Sequence, residues 1–93
     1  MHPDFELMES AQALAPTDVA GAERLARRVS DEISRSITLK RVTRSAVVAD
    51  IGEAVRIANS ITVDSIRVEA LAEIAESVAA ANPAYARRLL DEA

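Results

Sequence analysis

Cysteine and tryptophan are absent from this 93-residue sequence, and His2, Phe5 and Tyr85 are its only histidine, phenylalanine and tyrosine. Without cysteine there is no disulfide framework and no thiolate metal site. A single histidine removes any His-rich ligand set. Two glycines and three prolines leave few places where a regular element must stop. There is no Asn-Gly or Asp-Gly pair, and the aromatic β-formers are nearly missing, so nothing promotes hairpins. No apolar run approaches the roughly 18 residues of a membrane span. No apolar signal-peptide core follows the start. The apolar share of 49% is too high, and the net charge of −4 too small, for a disordered chain. These absences lead us to expect one soluble, cytoplasmic domain spanning 1–93, with no membrane partner.

What the chain has in abundance is alanine, at nineteen positions, together with leucine, arginine and glutamate. All are strong helix formers. The helical pattern also repeats. Ala22-Glu23-Arg24-Leu25-Ala26 recurs as Ala54-Val55-Arg56-Ile57-Ala58 and as Ala86-Arg87-Arg88-Leu89-Leu90, 32 residues apart each time. The same offset aligns Asp18 with Asp50 and Asn82, Val29 with Ile61, Arg35 with Arg67, Leu39 with Leu71, and Val42 with Ile74.

Each unit reads as two helices. The first starts after Asp18, Asp50 or Asn82, short polar residues that accept from the free N–H groups of a helix start. Asp50 has Glu53 at the capping-box spacing, and Pro83 follows Asn82, at the helical position that needs no N–H. These helices are expected near 18–29, 50–61 and 82–92. The second helices are expected near 34–49 and 64–81, the latter capped by Asp64 or Ser65. Its buried face is Ile66, Ala70, Leu71, Ile74, Ala75 and Val78, in 3-4 spacing; Glu69, Glu73 and Glu76 face solvent. Residues 4–15 align with the second helix, with Phe5, Met8, Ala11, Leu14 and Ala15 as the apolar face and Pro16 as the stop. The expected architecture is all-α: a short α-solenoid of about six helices with period 32. It comprises a half repeat 4–15, repeats 18–49 and 50–81, and a half repeat 82–93. One such unit cannot bury its own face, so neighbours must stack.

The string Ala70-Leu71-x-x-Ile74-Ala75-x-x-Val78-Ala79, followed by Asn82-Pro83-x-x-Ala86-x-x-Leu89-Leu90, resembles the tetratricopeptide and HEAT-like α-solenoid group. It is most similar to the degenerate Ala/Arg-rich helical repeats of large actinobacterial proteins. The Asn-Pro is similar to the Asp-Pro that often closes a tetratricopeptide repeat. The period is shorter than the ~34 of that unit, and its Leu-Gly pair is missing. The resemblance implies an interaction scaffold or adaptor without chemistry of its own, and no particular ligand.

Three groups of residues are candidates for partner binding. Arg24, Arg56 and Arg88 occupy equivalent places and would form a ladder able to clamp an acidic peptide, since guanidinium groups pair carboxylates bidentately; alternatively each pairs with a nearby acid such as Glu53 or Glu92. Ile37 stands where the partner helix has Glu69, and either faces a partner, with Val47 or Val48 nearby, or marks simple divergence. Tyr85, Leu89 and Leu90 belong to the last helix. Its stripe either packs inward or supports homodimerisation, the alternative reading, in which the chain is a small regulatory or structural subunit. Residues 24–44 carry seven bases against two acids, between acidic flanks. This basic stretch either meets phosphates or is neutralised by its flanks. The overall acidity and the lack of aromatic partners argue against nucleic acid. There is no Gly-rich phosphate loop, nucleophile elbow or zinc-protease motif. The expectation is no enzyme, no cofactor and no metal, with a protein or peptide partner.

Overall fold

Three helices of this chain start at an aspartate. The computed structural model describes residues 3–79 and 83–92, without the side chains of residues 85, 86, 89, 90 and 92. Among the described residues there are six α-helices and no strand. They are α1 (Pro3–Leu14), α2 (Val19–Arg27), α3 (Glu32–Ala49), α4 (Ile51–Asn59), α5 (Asp64–Ala79) and α6 (Pro83–Glu92). None is long and apolar enough to cross a membrane.

Asp18 starts α2 by accepting the Gly21 N–H at 2.9 Å, and Asp50 starts α4 by accepting the Glu53 N–H at 3.3 Å. Asp31 does the same for α3 through the Ser34 N–H at 2.9 Å. Each bond satisfies a donor that the helix cannot, worth about 1 kcal/mol. Neither Asp64 nor Ser65 caps α5 as expected. Both lie in its first turn, and the Asp64 carboxylate accepts from Arg67 at 2.7 Å. Asn82, expected to cap the last helix, falls outside the described residues.

α3 is rich in poor helix formers, Thr38, Thr43 and several serines, and is held by burial more than by propensity. Thr38 and Thr43 are fully enclosed. Their hydroxyls donate back to the carbonyls of Ser34 (2.7 Å) and Lys40 (2.5 Å), which leaves neither polar group unsatisfied. In α5 the buried residues are Ile66, Ala70, Leu71, Ile74, Ala75 and Val78, the face read from the spacing.

In α1 the expected apolar face is only partly used. Ala11 and Ala15 are buried, but Phe5 is 53% exposed and Asp4 takes a buried place instead. The reason is a set of hydrogen bonds. The Asp4 carboxylate accepts from the Ser30 N–H (2.9 Å), the Ser30 hydroxyl (2.7 Å) and the Asp31 N–H (3.1 Å), so α1 fastens the turn between α2 and α3.

Packing is local along the chain. α1 packs on α2 and α3, α3 on α2, α4 and α5, and α5 on α4 and α6. Among the described residues, every substantial helix contact joins helices one or two places apart. The chain spans 44 × 27 × 15 Å. Several hydrogen bonds recur 32 residues on. Arg35 donates to the Val29 carbonyl and Arg67 to the Ile61 carbonyl, both at 3.0 Å. The Val29 N–H reaches the Ala26 carbonyl, and the Ile61 N–H the Ala58 carbonyl, both at 3.1 Å. Burial follows suit at Ala22 and Ala54, Ala26 and Ala58, Leu39 and Leu71, and Val42 and Ile74.

Candidate functional site

Arg24 and Arg56 each stand six residues after the aspartate that starts their helix, so α2 and α4 present them at the same height. Their surroundings differ. Arg56 donates to Glu53 on its own helix (Nε to Oε2, 2.8 Å) and to Glu23 on α2 (Nη2 to Oε1, 2.7 Å). Glu23 also accepts from Arg27 at 2.6 Å, so one partly buried carboxylate joins two guanidinium groups. The hydrogen bonds from Arg56, aided by Arg27, hold Glu23 below the usual carboxylate range against the opposing effect of burial. Glu53 is lowered by Arg56 in turn, and Arg56 is held even more firmly protonated by Glu53 and Glu23. Arg24 is exposed and makes no ion pair or side-chain hydrogen bond among the described residues. Arg88 is exposed on α6. The three arginines thus do not form a uniform ladder: the middle one is taken up by two acids.

The basic stretch is met in part from within. Lys40 reaches Glu69 at 2.9 Å, and Arg44 reaches Glu73 at 2.6 Å, both across from α3 to α5. Glu73 is lowered by its hydrogen bonds from Arg44, and Arg44 is raised by them. Two of the three glutamates expected to face solvent therefore face bases; Glu76 is exposed. Arg35 serves backbone carbonyls. Among the described residues, Arg28 and Arg41 are exposed like Arg24 and make no ion pair or side-chain hydrogen bond.

Ile37 is partly buried against the core. The exposed apolar residues of α3 are its neighbours along the helix, Ile33 at 57% and Val48 at 87%. Val48 borders an open groove of about 530 Å³, walled by Pro16, Thr17 and Val19 on one side and by Ser45 and Ala49 on the other. Phe5 on α1 and Val68 on α5 are also exposed. The side chains of Tyr85, Leu89 and Leu90 lie outside the described residues, as does His2.

Sequence reasoning did not single out Glu23, Arg28 or Ile33. Glu23 and Arg27 had a visible signal in their i, i+4 spacing. Ile33 had none, because its exposure depends on where α3 meets its neighbours. Among the described residues, no group of three or more His, Asp or Glu is placed to hold a metal ion. Set against known proteins, the chain matches no family model, no curated protein and no solved structure.

Proposed function

We propose that this chain is a protein–protein interaction module, built as a short α-solenoid of two-helix units with a period of 32. The observation that carries this reading is that, among the described residues, every substantial helix contact joins helices one or two places apart. Such quasi-one-dimensional stacking leaves extended surfaces, which repeat proteins use for binding. The recurrence of the Arg35 and Arg67 bonds at the same length supports the period. The surface offers the apolar contacts that a partner needs, Ile33 and above all Val48 beside its groove. Isolated exposed hydrophobics are ordinary on any protein; an almost fully exposed valine at the edge of a groove is the better candidate for a contact.

The test is site-specific photo-cross-linking in the native cell. A cross-linker at position 48 is expected to capture a defined protein that one at the exposed polar position Gln12 does not. Val48→Asp is then expected to weaken that complex by roughly tenfold or more, as for a central apolar contact. Identical capture from positions 48 and 12 would overturn the reading.

A further inference from the structure

α2 and α4 begin alike and end up with different partners. Arg56 has an acid three residues before it, Glu53, and a second on the preceding unit, Glu23. Three residues before Arg24 stands Gly21, which is buried. A Cβ there would run into the Asp18 carboxylate and a methyl of Leu14, both of which would have to move, so α2 carries no acid at the place of Glu53. Nor, among the described residues, does any helix stand to α2 as α2 stands to α4. The next turn repeats the contrast. Ser60, just past α4, accepts from Arg27 of α2 at 3.0 Å, whereas its counterpart just past α2, Arg28, is exposed with no side-chain partner among the described residues. Ala20 and Arg24 of α2, with Arg28 just past its end, thus form an i, i+4, i+8 row, separate from the Glu23–Arg27 row that meets α4.

We propose that this row docks an acidic helix of another protein, which sets a glutamate against Arg24 as Glu23 is set against Arg56. The inference rests on the interaction-module reading and names the chemistry of one partner. Charge argues against a second copy. Stacked in register, it would bring Arg87, at the place of Glu23, to Arg24, and Glu76 to Glu9. Only Asp91 with Arg28 would be a match. A symmetric pairing of α2 with α2 would oppose arginine to arginine. An acidic helix satisfies both guanidinium groups, and charge-assisted hydrogen bonds are the stronger kind.

The probe is an Ala-rich helical peptide with glutamates at i and i+4, titrated into the full chain and followed by NMR, beside a peptide with glutamines in their place. The expected shifts centre on Arg24 and Arg28, with salt weakening the binding. Arg24→Gln with Arg28→Gln should weaken it roughly tenfold, while Arg41→Gln leaves it unchanged. These side chains are exposed and make no ion pair or side-chain hydrogen bond among the described residues, so the thermal midpoint should hold. Equal affinity for the two peptides, or indifference to the double substitution, would overturn the proposal. So would a concentration-dependent dimer that Arg24→Gln abolishes. Failure here with position-48 capture intact sinks only this inference; loss of that capture tells against the wider reading.

Discussion

At the scale of single residues, the two glycines show how little a residue type says without its neighbours. Both have ordinary negative φ, so neither is needed for an unusual backbone. Gly52 is exposed, and a Cβ there would meet only Oδ1 of Asp50, at 3.2 Å. Gly52→Ala should therefore stabilise by ~0.5 kcal/mol through helix propensity. Gly21 is wedged beneath the Asp18 carboxylate that starts its helix. Gly21→Ala should displace that cap and cost about 1 kcal/mol net. In thermal melts the two alanines should move the midpoint in opposite directions, by several degrees for Gly21; equal shifts would show that the cap is not held as described. Burial of Asp4 belongs to the same scale. An acid followed by Phe5 reads as solvent-facing, and only the turn at Ser30 and Asp31, distant in sequence, reverses that.

At the scale of elements, the helices were the most legible part of the chain, because their starts are marked by Asp18 and Asp50 and their faces by the 3-4 spacing. The face of α5 could be read residue by residue. The start of α3 was less clear, since Asp31, Ser34 and Ser36 are all capable caps and only geometry chooses Asp31. Less legible still were the bonds joining one element to the next. Arg35 and Arg67 reach back to a carbonyl in the turn just past the preceding helix, that of Val29 or Ile61, each at 3.0 Å. Arg35→Gln and Arg67→Gln should each cost about 1–2 kcal/mol, as lost charge-assisted bonds to otherwise unpaired carbonyls. Arg41→Gln, on an exposed side chain, should cost almost nothing. Urea unfolding of the three variants checks this, and a loss at Arg41 equal to the other two would remove the special role of the pair.

At the scale of the whole molecule, charge that looks segregated along the chain is matched across it: Glu23 with Arg56, Glu69 with Lys40, Glu73 with Arg44. These pairings needed α2 within side-chain reach of α4, and α3 packed on α5, which no local pattern reveals. The candidate surface was illegible for the same reason. Arg24 and Arg56 look identical in sequence, and only the neighbours decide that one is satisfied and the other not. Glu23, Glu53 and Glu73 titrate below their ordinary 4.5 in the folded chain. The stability they contribute is complete above that value and drains away as pH falls towards their folded values. The thermal midpoint should therefore drop between about pH 5 and 3, and Glu23→Gln should flatten part of the drop; an unchanged slope would assign the acid sensitivity elsewhere. The core carries a further consequence. Nine of its eighteen buried apolar residues among those described are alanines. Alanine has no rotamers, so such an interior gives up little side-chain entropy on folding and cannot rearrange to make room. Its mutational tolerance is lopsided: trimming an isoleucine to valine is mild, whereas a single added methylene at Ala22 or Ala58 pushes two helix backbones apart.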